Sequence, residues 1–119
     1  MIIWLVEDSK RDLKDEVDML KQEFPGSIVK TYESCFELFQ DNKGLPSADL
    51  AVIDLAGMTA AGSSMRGVVS PIENVMSHWP DLKIRIYSGM GSTFCQDAVD
   101  EIKRDFPTSD ISVCERFNI

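Results

Sequence analysis

Four acidic or hydroxyl side chains stand where apolar runs end. Glu7 and Asp8 follow Ile2-Ile3-Trp4-Leu5-Val6, Asp54 follows Leu50-Ala51-Val52-Ile53, and Ser88 follows Ile84-Arg85-Ile86-Tyr87. Carboxylates are hard oxygen ligands, and Mg²⁺ typically takes one or two of them while keeping waters and phosphate oxygens. An aspartate is a feeble nucleophile toward a phosphoryl donor until a cation neutralises charge on the transferred group. Glu7, Asp8 and Asp54 are therefore the candidate metal ligands, with Asp54 also the candidate phosphoacceptor. Ser88 is placed to hydrogen-bond a phosphoryl oxygen once it arrives. Each acid alone is also what a turn or a helix N-cap uses; the set points to a site.

These residues meet only if the apolar runs are parallel strands whose carboxyl ends share one edge of a sheet. The first run is apolar on both faces, as a central parallel strand requires. After Ser9, the residues Leu13, Val17, Leu20 and Phe24 recur at near-helical spacing among Lys10, Arg11, Asp12, Lys14, Asp15, Glu16 and Lys21, which predicts an amphipathic helix ended by Pro25-Gly26. A strand over 27–32 follows, and Ser34 with Glu37 forms a capping box before Phe36, Leu38 and Phe39, in a helix stopping near Asn42-Lys43-Gly44. Residues 55–69 are rich in Gly, Ala, Ser and Met and read as a long loop carrying Met58 and Met65. Ser70-Pro71-x-Glu73 reads as the start of a third helix with Ile72, Val75, Met76 and Trp79 on its buried face. A fourth strand over 83–87, a helix capped by Thr93 and Gln96, and a fifth strand over 110–114 complete the pattern. The order βαβαβαβαβ implies an α/β fold, a doubly wound parallel sheet in a single domain spanning 1–119.

Composition narrows the function. Twenty acids against twelve bases give a net charge of −8, which repels nucleic acid and anionic membrane surfaces alike. No apolar run approaches the ~18 residues of a membrane span. The chain starts directly in a strand pattern with no secretory leader, so the expected compartment is the cytoplasm. Cys35, Cys95 and Cys114 form no CxxC pair and read as reduced, packed thiols. His78, the one histidine, has no partner at ligand spacing and reads as a boundary residue. Gly89-Met90-Gly91 lacks the lysine and spacing of a phosphate-binding loop and reads as a tight turn.

Taken together, the residues resemble the receiver domain of bacterial two-component response regulators over almost the whole chain. Val6-Glu7-Asp8 stand as its acidic pair, Asp54-Leu55 as its phosphoacceptor, Gly62 at the small position eight residues on, and Ser88-Gly89 as its hydroxyl position and small neighbour. The resemblance implies a flavodoxin-like sheet of five strands in the order 2-1-3-4-5. It further implies Mg²⁺ at the acidic site, phosphorylation of Asp54 by a histidine kinase or phosphotransfer protein, and a signalling rather than enzymatic role.

The pattern departs from the family at its end. Where receivers carry a lysine and then Pro-Phe, this chain has Glu115, Arg116 and Phe117; Ser112 stands where an aromatic residue is usual, and the fifth helix is missing. Lys83, Arg85 and Tyr87 alternate with Ile84 and Ile86, and Asp110, Ser112 and Cys114 with Ile111 and Val113, the pattern of strands covered on one side. The expectation is a stand-alone, atypical receiver, naturally short or with its bare face against a partner, whose output passes through a separate effector protein. The alternative is a pseudo-receiver that binds protein partners without phosphorylation. A haloacid-dehalogenase-type phosphatase also uses an Asp after a strand but generally places a second Asp two residues on, where this chain has Ala56. An FMN binder would want hydroxyls and amides where Glu7 and Asp8 stand.

Overall fold

Strand β1 (Ile2–Val6), apolar on both faces, takes an inner place in a five-stranded parallel sheet. The computed structural model describes residues 1–55, 64–87 and 92–114. In chain order, β1 is followed by α1 (Lys10–Glu23), β2 (Ile28–Tyr32), α2 (Cys35–Asn42), β3 (Leu50–Asp54), α3 (Met65–His78), β4 (Lys83–Tyr87), α4 (Ser92–Asp105) and β5 (Ile111–Val113). The strands lie in the order β2-β1-β3-β4-β5, as the sequence predicts.

The register sorts the side chains into two cores. Trp4, Ala51, Ile84 and Ile111 form one row across four strands, and Val6, Ile53, Ile86 and Val113 repeat it two residues on. Because side chains alternate along a strand, both rows face one side, where they pack with Leu38 of α2, Val68, Val69 and Ile72 of α3, and Ala98 and Ile102 of α4. Trp4 meets Trp79 edge-on at 4.9 Å, and the Trp79 indole donates to the Leu45 carbonyl at 3.1 Å. The opposite side holds Ile3, Leu5, Leu50 and Val52 against Leu13, Val17 and Leu20 of α1. On that side Lys83 and Ser112 are exposed, and the Arg85 guanidinium donates to Asp110 Oδ1 at 3.0 Å. The expected wet face of β4 and β5 is present at Lys83, Asp110 and Ser112, whereas Arg85 is half-buried, Tyr87 packs against the core on the α1 side and Cys114 is buried.

Ser34 Oγ accepts the Glu37 N–H at 3.1 Å, as its capping pattern predicts. Gly26 takes a positive φ of 81° after α1, a conformation that glycine adopts without steric cost.

The third helix differs from its predicted start. It begins at Met65, capped by Ser64 Oγ accepting the Gly67 N–H at 3.1 Å, and Pro71 lies in its interior. The apolar stripe explains the difference, because Val68 and Val69 continue the spacing of Ile72, Val75 and Met76 one turn upstream, and all five are buried. Burying two valines is worth about 1.5–3 kcal/mol each, which offsets the ~3 kcal/mol cost of an interior proline. Met65 therefore opens a helix rather than lying in a loop. Glu73, predicted to cap, instead accepts an ion pair from Arg66 at 2.9 Å. Helix α4 likewise starts earlier than its predicted cap, so Thr93 falls in its first turn and Gln96 donates to Asp100 at 2.9 Å. Strand β5 is shorter at both ends than its pattern suggests.

The helix boundary is directly testable. Ser64→Ala should lower stability by about 1 kcal/mol through loss of the cap, whereas Ser70→Ala, inside the helix and exposed, should be neutral or slightly stabilising. Urea midpoints that reverse this order would return the helix start to Ser70.

Candidate functional site

The strand ends bring two of the predicted acids together. Glu7 and Asp54 continue the alternation of Ile3, Leu5, Leu50 and Val52, so both project to the side that α1 covers. Both are buried, at 4% and 7% exposure. There they meet Glu16 of α1, itself 7% exposed, and carboxylate oxygens of Glu7, Glu16 and Asp54 lie within 4.8 Å of one another.

Glu16 is the residue that sequence reasoning missed. The sequence pattern places it among the charged residues of an amphipathic helix, yet it sits three residues after Leu13 and four before Leu20, on the stripe that faces the sheet. That spacing is the signal. Asp8 is exposed and lies outside the group of three. Ser88 lies outside the described residues, as do Ala56, Met58, Gly62, Gly89, Met90, Gly91, Glu115, Arg116 and Phe117.

Local hydrogen bonding fixes Glu7. Its Oε1 accepts the Ser9 N–H at 2.8 Å, which ties the carboxylate to the N-terminus of α1, while Oε2 is buried among the carboxyl groups of Asp54 and Glu16. Burial pushes the Glu7 carboxyl up to about 7; the Glu16 carboxyl adds to the rise, and hydrogen bonding to Asp54 and to the Ser9 N–H works against it. Three ionised carboxylates this close repel by about 3 kcal/mol per pair at an effective dielectric of ~20. The group must hold a proton or a cation.

The donor set suits a hard divalent ion. Carboxylates alone, with no sulfur or imidazole among them, match the oxygen preference of Mg²⁺, Mn²⁺ or Ca²⁺. The thiols do not join this chemistry. All three cysteines are buried thiols outside any disulfide, and burial pushes Cys35 up to about 12 and, with Asp54 and Cys114 adding to the effect, Cys95 up to about 11. Neutral thiols are poor nucleophiles and metal ligands. His78 is exposed and meets Phe39 edge-on at 4.5 Å, a boundary position as expected.

No protein-family model matches the sequence, and no curated protein matches it either. Solved structures do. The isolated REC domain of RcsB from Salmonella enterica serovar Typhimurium superposes with a TM-score of 0.65 at 19% identity, over 95% of this chain and 75% of that one. The chain has a receiver-domain fold. A LuxR family DNA-binding response regulator from Silicibacter pomeroyi gives a TM-score of 0.61 at 16% identity, over 100% and 81% of the two chains. RcsB from Salmonella enterica serovar Typhimurium, bound to promoter rprA in the presence of the phosphomimetic BeF₃⁻, gives 0.65 at 14% identity, over 100% and 89%. The receiver fold explains why the acids gather: its inner strands β1 and β3 are neighbours, so their carboxyl ends cannot be far apart.

A pH dependence follows from Glu7. Folding raises its pKa from 4.5 to about 7, so the protonated carboxyl favours the folded state fully below pH 4.5, and that contribution is lost as pH climbs to 7. Across that window the metal-free protein should lose on the order of 2 kcal/mol relative to Glu7→Gln. Urea unfolding of the two proteins at several pH values measures the difference; parallel pH profiles would show that Glu7 is ionised in the folded state.

Proposed function

We propose that this protein is a signalling receiver that takes a phosphoryl group on Asp54 from a histidine kinase or phosphotransfer protein, with Mg²⁺ held at the acidic edge of the sheet. The observation that carries this reading is the burial of Glu7 and Asp54 side by side at the carboxyl ends of β1 and β3 in a receiver-domain fold. Bound there, the ion would neutralise charge on the transferred group. Glu7 must give up its proton to serve as a ligand. Asp54 attacks the phosphorus of the donor in line, the P–N bond of a phosphohistidine breaks with its electron pair leaving on the imidazole, and an acyl phosphate remains on Asp54. Ser88 then accepts the role of hydrogen-bond donor to a phosphoryl oxygen, and Asp8, exposed beside the site, is the further acid of the strand end.

The output is a protein contact. A net charge of −8 disfavours direct DNA binding by this domain, so its contact is with a protein effector, and the setting is the cytoplasm. A phosphorylation-independent pseudo-receiver is the second reading. It is favoured by Glu16, which adds a third buried carboxylate to a site that must admit a dianionic group.

Incubation with Mg²⁺ and a small phosphoryl donor such as acetyl phosphate should yield one acid-labile phosphate per chain, absent from Asp54→Asn. Mg²⁺ with beryllofluoride should shift amide resonances centred on Glu7 and Asp54. Label persisting on Asp54→Asn would identify a different nucleophile, and no response to Mg²⁺ and beryllofluoride would leave the pseudo-receiver reading.

A further inference from the structure

We infer that the groove between the C-terminal ends of α3 and α4 is a docking site for a segment of a partner protein in which a Lys or Arg stands beside a large apolar residue. The groove encloses about 390 Å³ near the amino ends of β4 and β5, whereas Asp54 closes the carboxyl end of β3. Docking there requires no step at Asp54.

The two helices leave the groove in the same way. Helix α3 exits through Trp79-Pro80 and α4 through Phe106-Pro107, and Met76, Phe106 and both prolines line the surface between them. Met76 is buried and Phe106 half-buried, but the prolines are exposed. An apolar side chain laid across them would remove that surface from water.

Charge selects what accompanies the apolar residue. The last carbonyls of a helix lack intrahelical donors and carry its partial negative charge. Proline has no N–H, so Pro80 and Pro107 return no bond to the carbonyls of Met76 and Lys103 four residues back, and both helices end in acceptors beside the groove. Asp105 stands on the rim with its side chain 56% exposed. Its only cation is Arg66 at 3.4 Å, which also serves Glu73 at 2.9 Å and Glu101 at 3.6 Å, while Arg104 is held by Glu101 at 3.1 Å. Two guanidinium groups among three carboxylates leave this network negative. Lys103 and His78 belong to the same last turns but do not line the groove. The lining hydroxyls of Ser77 and Ser109 donate inward, to the carbonyls of Glu73 and Phe106 at 2.9 and 2.7 Å. A Lys or Arg side chain, a donor with several N–H groups and a positive charge, matches this set of acceptors.

The test uses short acetylated peptides with a central Leu flanked by Arg and Lys, by Ser, or by Glu. Titrated into the unphosphorylated chain and followed by NMR, the Arg/Lys peptide should give saturable amide shifts centred on Ser77, Asp105, Phe106, Thr108 and Ser109. The Ser peptide should bind about fivefold more weakly and the Glu peptide not at all. Asp105→Lys should weaken the Arg/Lys peptide by about tenfold, and Asp15→Lys, the same change of net charge on the exposed face of α1, by less than about twofold. Thr108→Trp, which fills the groove from an exposed position, should abolish binding. Should a variant fail to fold, the wild type decides: its affinity for the Arg/Lys peptide should fall severalfold between ~50 and ~500 mM salt. Equal binding of the three peptides, an affinity indifferent to salt, shifts centred elsewhere, or no saturable shift at millimolar peptide would overturn the inference. So would shifts of the same residues on raising protein concentration alone, which would make a second copy of the chain the occupant.

Discussion

The structure is organised around like charges forced together at the edge of a parallel sheet. Parallel pairing of β1 and β3 aligns their carboxyl ends, so the residues that follow the last apolar positions cannot separate without breaking the ladder. Glu7 and Asp54 sit there, α1 adds Glu16 from above, and the three oxygens stay within 4.8 Å. Repulsion on this scale is comparable with a sizeable share of the ~5–15 kcal/mol that holds a domain folded. Protonation of Glu7 relieves it in one state and a bound cation would relieve it in the other. The site is therefore coupled to the stability of the fold as well as to ligand binding.

What keeps the acids in place is the unequal division of the core. On one side of the sheet α2, α3 and α4 bury a continuous cluster from Trp4 and Tyr32 to Ile102 and Ile111. Its packing does not depend on the acidic edge. Arg66, with carboxylate oxygens of Glu73, Glu101 and Asp105 at 2.9, 3.6 and 3.4 Å, links α3 to α4 at its rim. Half-exposed pairs of this kind contribute little to stability, and burial raises the Glu73 pKa within them. The other side relies on α1, whose Leu13, Val17 and Leu20 cover Ile3, Leu5, Leu50 and Val52. The helix that carries Glu16 is thus the same one that seals the apolar face below it, and movement of one must disturb the other.

The strands were legible because a parallel strand buried on two faces writes itself as an uninterrupted apolar run, and the residue after such a run is necessarily at the sheet edge. Glu7 and Asp54 could be placed from that rule alone. Helix residues are harder. A glutamate among lysines and aspartates looks solvated, and only the positions of Leu13 and Leu20 reveal that Glu16 shares their face. The start of α3 was hidden for a different reason: Ser70-Pro71-x-Glu73 has every local mark of a first turn, but the burial of Val68 and Val69 outweighs the proline. Local chemistry and tertiary packing disagreed there, and packing won.

Glu16 carries the argument about what the site can do. An acid on the sealed stripe of α1 forgoes the burial of an apolar side chain, worth about 1.5–3 kcal/mol, and brings desolvation of a carboxyl as well. Nothing in the packing of α1 requires it, because Leu13, Val17 and Leu20 already close the face. Its carboxyl group faces those of Glu7 and Asp54, and it adds to the rise of the Glu7 pKa. With a divalent ion among three carboxylates the net charge is −1, so an incoming phosphoryl group meets residual repulsion that two ligands would have removed. One helix carries both the buried acid and the apolar stripe below it, so the charge state of the acidic edge is tied to the seating of α1 on the sheet.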